Sequence, residues 1–460
     1  MGVVDRKVRL VRRVLLTTYH FPPGNAIGLI RPMGLAKYLP RYGWEPVVLT
    51  PRLSNGPRRA GLIPAGQIIE TDYRDVLGLW KGRFGFDPKR GIHQQLGLPR
   101  AKTPNRSLPH TAFMKWLRPL LFFPDLTKGW MPFAADAIGQ LKEQAPVHAI
   151  ITTSPPITCN LIGVHAKQVL GIPWLADFRD LWTQDTLARN DGNNAVFHFL
   201  DERLERRILA KADAMVTVSQ PWVERLQEKA PNTPVHCVTN GFDPEDFTFL
   251  PVPLTQSFSI TYTGLLYEGK RDPSPLLEVL SELIQSGTLV RSDVVVRFYG
   301  PFEPWLQLLV GKYGLEGVVK IHDVVSRDEA LRSQAESQML LLIGWHDLSE
   351  RGQHTGKLFE YLGSKRPILA LGGAYGVMSE VLEETGAGVH ALTKEQLREV
   401  LVTAYGEFRS VGRVQYKGLE SKVQNYTHQE MARRFAELLD GLVEKNGMAS
   451  SALAQEGTAR

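Results

Sequence analysis

In the segment Thr355-Gly356-Lys357-Leu358-Phe359-Glu360-Tyr361-Leu362 a single carboxylate stands inside an otherwise apolar helical stretch. Flanked by Phe359 and Tyr361, Glu360 must meet a partner or carry a desolvation cost. The residues before it (Arg351, Gly352, Gln353, His354, Thr355 and Gly356) bring backbone N–H groups to a helix start, where an anion is welcome. A glutamate one turn into the helix can accept two hydrogen bonds from vicinal hydroxyls, as a ribose supplies. Phosphate at the helix start and ribose at Glu360 together describe a nucleotide. The plainer role for Glu360 is an acid that favours the positive end of its own helix.

The elements that must position these residues alternate between strand and helix. Residues 14–18 form a short apolar run that enters the Pro/Gly loop 21–28. A helix then carries Met33, Ala36 and Leu39 and stops at Pro40 and Gly43, before the next strand at 47–49. This is a βαβ unit, which implies a parallel sheet. Residues 53–125, rich in Pro, Gly, Arg and Trp, read as an insertion at the rim rather than as sheet. Strand-like runs resume at 149–153, 173–176, 214–218 and 235–239. Pro251-Val252-Pro253 marks a linker, so the boundary is placed at 249/250. Strands at 259–263, 294–299, 318–322, 339–343 and 367–371 then repeat the pattern. Ser326 with Glu329, Thr393 with Gln396 and Thr427 with Glu430 are capping boxes, and Asp272-Pro273 opens a helix. A last helix over 427–446 is expected to pack back towards the first domain, followed by a disordered tail over 447–460. Two doubly wound α/β domains, 1–249 and 250–426, place their ligand at the carboxyl ends of the strands.

Composition narrows the class of function. A chain of 460 residues exceeds one ordinary core and suits two domains. Its net charge of +6 is mild, although Arg6, Lys7, Arg9, Arg12 and Arg13 crowd the start. Such an edge suits anionic lipid or nucleotide phosphates as well as plain solvation. Cys159 and Cys237 are the two cysteines and have no metal-type spacing, which favours a reduced compartment and no zinc site. No signal-peptide pattern and no run of about 18 apolar residues is present, so a cytoplasmic protein is expected. Residues 116–123 (Trp, Leu, Arg, Pro, Leu, Leu, Phe, Phe) are too short to cross a bilayer but suit peripheral contact with the anionic inner face of the cell membrane. A buried loop or core helix is the other reading of that run. Nucleic acid is not an expected partner.

Several separate segments together resemble the GT-B-fold glycosyltransferases of the family-4-like retaining group, bacterial surface-polysaccharide members above all. They are Tyr19-His20-Phe21-Pro22-Pro23 with Gly28; Thr153-Ser154-Pro155-Pro156; Ala176-Asp177-Phe178-Arg179-Asp180; Val216-Thr217-Val218-Ser219; Asn240-Gly241-Phe242-Asp243; Tyr262-Thr263-Gly264; and 356–362. The resemblance spans residues 11–445 and implies two Rossmann-like domains facing each other across a cleft. It also implies that Glu360 holds the ribose of a nucleotide-sugar donor, and that Gly264, Lys270, Gly356 and Lys357 lie at its diphosphate. Leu265 stands where the family commonly has an arginine, and Arg271 is the candidate to replace it. Gly352 stands where a second glutamate is usual. In the first domain Gly28 resembles a glycine near the donor phosphate, and Arg31 after it faces the cleft.

Arg179 occupies a position where many relatives carry histidine. It stays protonated at neutral pH and so cannot act as a base. It binds an anionic sugar, an acceptor phosphate or the leaving group, and Asp180 orients it or receives sugar hydroxyls; a structural salt bridge is the dull alternative. No hydrolase-type pair of acid and nucleophile is readable. The resemblance implies a site that runs on cations, with the leaving phosphate itself helping to take the acceptor's proton, and with neither metal nor other cofactor expected. Arg179, Asp180 and Lys270 are therefore the catalytic candidates. The expected activity is transfer of a sugar from a UDP- or GDP-sugar to an oligosaccharide or lipid-linked acceptor, with retention. A nucleotide-sugar epimerase on the same fold, or a non-catalytic nucleotide-sugar-binding scaffold, are the alternatives. His20, His346 and His354 read as solvated or capping histidines.

Overall fold

The structure, a computed structural model, describes residues 11–23, 27–53, 63–76, 78, 123–144, 146–184, 195–345, 352 and 355–458. The chain divides into two units, Met1–Val238 with Ala432–Arg460, and Thr239–Met431. Each is built on its own parallel sheet.

In the first unit the strands are β1 (Arg12–Thr17), β2 (Trp44–Pro51), β3 (Ile68–Thr71), β4 (Ala149–Ser154), β5 (Trp174–Phe178), β6 (Ala214–Thr217) and β7 (Val235–Cys237). They lie in the order β3-β2-β1-β4-β5-β6-β7, all parallel. The helices are α1 (Ile30–Tyr38), α2 (Met131–Gln144), α3 (Thr158–Leu170), α4 (Ala195–Leu209) and α5 (Gln220–Lys229). Leu15, Val47, Ile150, Trp174 and Met215 form the core with Trp130 and Ile162 from the helix side. Central strands buried on both faces give the unbroken apolar runs that a parallel sheet requires.

The second unit repeats the plan with β8 (Phe258–Thr263), β9 (Val294–Tyr299), β10 (Val319–His322), β11 (Met339–Ile343), β12 (Ile368–Leu371) and β13 (Gly388–Ala391). Their order is β10-β9-β8-β11-β12-β13, again all parallel. Its helices are α6 (Ser274–Gln285), α7 (Pro304–Lys312), α8 (Arg327–Ala335), α9 (Gly356–Ser364), α10 (Val377–Thr385), α11 (Lys394–Val411) and α12 (Glu420–Val423). The start signals act in part as read, with the reciprocal capping box present at Thr393 and Gln396. Ser326 accepts from the Glu329 N–H, Thr393 and Gln396 cap each other, and Thr427 accepts from the Glu430 N–H at 3.2 Å. Asp272 accepts from the Ser274 N–H at 2.8 Å at the head of α6.

Three details differ from the sequence reading. Residues 68–71, assigned to a rim insertion, form an edge strand of the first sheet, with Ile68 opposite Val48. The second unit begins at Thr239 rather than at 250. Phe242 and Phe247 explain this: both sit in that unit's core, and a Cβ on Gly363 of α9 would lie 2.7 Å from Phe242. The last helix, α13 (His428–Thr458), runs through the stretch read as a disordered tail, where Ala452, Leu453, Ala454, Gln455 and Glu456 are good helix formers. From Ala432 onward it is part of the first unit. There Asp440 meets the Arg12 guanidinium at 2.8 Å and the Trp44 indole N–H at 3.0 Å. Most of the 53–125 segment, including 116–122 of the run read as membrane-facing, lies outside the described residues, as do His346 and His354.

Candidate functional site

In both sheets the strand order reverses beside the first strand of the unit, between β1 and β4 and between β8 and β11. The loops that leave those carboxyl ends make a crevice where a doubly wound sheet binds its ligand.

In the second unit this point is built around Gly264, the first residue after β8. Its φ of 116° is one that only glycine adopts without strain. A Cβ there would stand 2.6 Å from Lys357 Nζ, so the lysine of the α9 start occupies the space a side chain would fill. The Lys357 ammonium lies 5.1 Å from the centre of the Tyr262 ring. Tyr262, whose hydroxyl burial pushes up to about 12, donates to the Leu265 carbonyl at 2.7 Å and fixes the loop. Arg271 Nη1 donates to the same carbonyl at 3.2 Å. Its guanidinium lies 5.4 Å from the Tyr267 ring and 5.9 Å from the Trp345 ring. Lys270 Nζ lies 4.6 Å from the Trp345 ring.

Three cations thus converge on one loop and one helix start. Among the described residues none of the three makes an ion pair, and the buried Arg271 Nε has no hydrogen-bond partner. Burial, then the nearby Arg271 charge, lowers the Lys357 ammonium to about 7, while Glu360 pulls the other way. Lys270 is exposed, but positive charge at the less exposed Arg271 and Lys357 is costly unless an anion neutralises it. Leu265 brings no charge to the loop, and Arg271, the candidate to replace the missing arginine, reaches its backbone carbonyl. The Thr355 side chain makes no capping hydrogen bond at the α9 start.

Glu360 lies one turn into α9, with 22% of its side chain exposed. It is not alone: Arg327 Nη1 donates to its Oε1 at 2.6 Å, and Arg327 Nη2 donates to Asp246 Oδ2 at 2.8 Å. Behind the site, the Thr263 N–H donates to the Tyr361 hydroxyl at 3.1 Å, tying the end of β8 to α9. The sequence reading missed Arg327, Asp246 and the two aromatic supports Tyr267 and Trp345. Arg327 and Asp246 come from segments far from Glu360 in the chain, and no local pattern joins them.

In the first unit the corresponding loops bring together Gly28, His20 and Arg179. Arg179 Nη1 donates to the Gly28 carbonyl and Nη2 to the Pro155 carbonyl; Nε donates to the Ser154 carbonyl at 3.3 Å. A Cβ on Gly28 would stand 2.7 Å from Nη1, which gives this glycine a physical reason. Arg179 was read as an anion binder. Each of its three side-chain nitrogens also holds a backbone carbonyl, which makes it a brace between loops. Burial lowers its guanidinium from the ordinary value while Asp177 and Asp180 act against that. Asp180 is exposed at the same loop. Burial, and then the Arg179 charge, keeps the His20 imidazole below its ordinary range.

Arg31, expected to face the cleft, is 3% exposed and buried beneath these loops. It meets the fully buried Asp177 at 2.8 Å (Nη2 to Oδ1) and 2.9 Å (Nε to Oδ2), and donates to the Val238 carbonyl at 2.9 Å. Thr153 donates to Asp177 Oδ2 at 2.9 Å. Without a fixed partner an aspartate this deep would be strongly disfavoured.

Residues 30–241, almost all in the first unit, match the model of the glycosyl transferase 4-like domain. The chain thus carries a glycosyl transferase 4-like domain over those residues, and it is a transferase enzyme of class EC 2.4. No curated protein sequence matches it. Solved structures that are similar include Anabaena Alr3699/HepE in complex with UDP and glucose, at 13% identity and a TM-score of 0.56, covering 94% of this chain and 100% of that one. A glycosyltransferase from Rickettsia africae aligns at 14% identity and TM-score 0.55, covering 94% and 98%. Sucrose-phosphate synthase from Thermosynechococcus elongatus aligns at 12% identity and TM-score 0.50, covering 97% and 100%. At this level of identity the likeness speaks to the fold, which is GT-B: two parallel-sheet, Rossmann-like units. Among the described residues no three His, Cys, Asp or Glu side chains gather to hold a metal, and no helix is long and apolar enough to cross a membrane.

Proposed function

We propose that this glycosyltransferase takes its sugar from a UDP- or GDP-sugar bound in the second unit. The single observation that carries the reading is the cluster of Lys357, Arg271 and Lys270 around Gly264, without carboxylate partners among the described residues. That arrangement asks for a multiply charged anion. The α9 start at Gly356 and Lys357 receives the diphosphate, and Glu360, one turn further, receives the vicinal hydroxyls of the ribose. The Anabaena neighbour binds UDP and glucose, which supports a donor of this class.

In the reaction the bond between the anomeric carbon and the diphosphate oxygen breaks, and an acceptor hydroxyl oxygen bonds to that carbon. Negative charge grows on the leaving diphosphate, where Lys357, Arg271 and Lys270 stabilise it most in the transition state. The departing phosphate oxygen takes the acceptor's proton, so the new bond forms on the face that the donor leaves, with retention. The acceptor is a saccharide or lipid-linked saccharide of surface-polysaccharide synthesis, and we assign it to the first unit's loops at Gly28, Arg179 and Asp180. The enzyme works in the cytoplasm with peripheral contact at the inner face of the cell membrane.

A thermal-shift panel of UDP-, GDP- and ADP-sugars with the matching free diphosphates selects the donor. Turnover of that donor with lipid-linked saccharides then tests transfer. Donor binding with a C2 epimer and no transfer would make the protein an epimerase, and binding with no turnover would make it a scaffold. Liposome flotation at low salt tests the membrane contact; no binding to anionic vesicles removes it.

A further inference from the structure

Arg327 opens α8 directly after the capping residue Ser326, and it reaches two carboxylates on different segments. Nη1 donates to Glu360 Oε1 of α9 at 2.6 Å, and Nη2 donates to Asp246 Oδ2 of the turn Pro244–Phe247 at 2.8 Å. That turn is itself fixed, because Asp243 accepts from the Glu245 N–H at 3.0 Å. A planar guanidinium held at two ends cannot swing away without giving up one carboxylate. Burial pushes the Arg327 guanidinium down, but Glu360 and Asp246 reverse this and leave it above its ordinary value.

We propose that Arg327 is a positioning residue for donor recognition, spanning Asp246 and Glu360 so that one oxygen of Glu360 is held and the other is presented to ribose hydroxyls. The proposal rests on the nucleotide reading of Glu360. An unheld glutamate loses rotamer freedom when it binds, and a glutamate clamped in advance loses little. A lysine in place of Arg327 could reach one carboxylate at a time and would restore the clamp in part.

Isothermal titration of the full chain with UDP against 2′-deoxy-UDP, and GDP against 2′-deoxy-GDP, tests this, with inorganic pyrophosphate as the probe of the cation cluster. The wild type is expected to favour the ribose member of the pair it binds by about tenfold or more, the worth of a hydrogen bond to a charged group. Arg327→Ala weakens the ribose nucleotide by about tenfold and brings the ratio close to one, while pyrophosphate affinity stays within about twofold. Arg327→Lys falls between the two. If Arg327→Ala keeps the wild-type ratio, or loses pyrophosphate affinity as well, the positioning role is wrong while the ribose assignment stands. If the wild type shows no ribose preference, or Glu360→Ala retains it, the ribose assignment itself fails and the proposal with it.

Discussion

The ammonium of Lys357 occupies the place where Gly264 would carry a side chain: a Cβ there would lie 2.6 Å from Nζ. One residue comes from the loop after β8 and the other from the first turn of α9, so this contact sets the width of the candidate diphosphate site. Gly264→Ala must displace the lysine and also strain a backbone held at φ 116°. We expect affinity for nucleoside diphosphate to fall by about tenfold or more, with about 1–3 kcal/mol lost in chemical unfolding. Unchanged affinity in titration calorimetry would dissociate the contact from binding.

Lys357 gives the site a pH signature. Burial, with the Arg271 charge, lowers its ammonium to about 7 in the folded chain; unfolded lysine titrates near 10.4. Between those values the unfolded chain binds more protons, so this group raises stability as pH rises from about 7 to about 10. Its cost is complete below about pH 7. Lys357→Met removes it, on the order of a few kcal/mol at pH 6, and the difference from wild type fades towards pH 10. Urea unfolding at both pH values measures this. Diphosphate binding at pH 8 should also take up a proton, seen as a buffer-dependent heat that Lys357→Met abolishes.

Arg179 is expected to matter for the shape of the first unit more than for donor affinity. Arg179→Ala leaves the Pro155 and Gly28 carbonyls without the guanidinium, while the Ser154 carbonyl keeps the backbone N–H of residue 179. A loss of about 2–3 kcal/mol in unfolding, a fall in transfer rate and near-unchanged nucleoside diphosphate affinity are expected. A tenfold loss of that affinity would place Arg179 at the donor instead.

The Arg31 and Asp177 pair is buried on both sides, at 3% and 0% side-chain exposure. Either Arg31→Met or Asp177→Asn alone strands a charge or its partners and should cost about 3–5 kcal/mol. Urea titration of the two single variants and the double variant checks this; the double should cost less than the sum of the singles.

Much of the fold was legible because the central strands are apolar throughout. Leu15, Val47, Ile150, Leu341 and Leu369 are buried and advertise themselves as sheet. The strands that escaped notice, β3 and β13, are both at an edge of their sheets, short and half-exposed, with Glu70 or His390 breaking the apolar pattern. Glu360 and Lys357 could be singled out because what marks them is local, a helix start and an acid one turn in, and both do lie on α9. Arg327 was not, since its two partners lie 33 and 81 residues away and an arginine at a helix start is ordinary. Asp177 appeared in a quoted motif, but its pairing with Arg31 joins residues 146 apart. Arg179 was seen, while the three carbonyls it holds were not, because residue type alone does not show which distant backbone atoms an arginine meets.

Titration of UDP and GDP into the wild type and into Lys357→Ala is the most direct measurement of the central claim. The account predicts that one nucleotide binds the wild type in the micromolar range, about −8 kcal/mol, and that Lys357→Ala weakens it by about tenfold or more. Absence of binding to the wild type, or equal affinity in the variant, would contradict it.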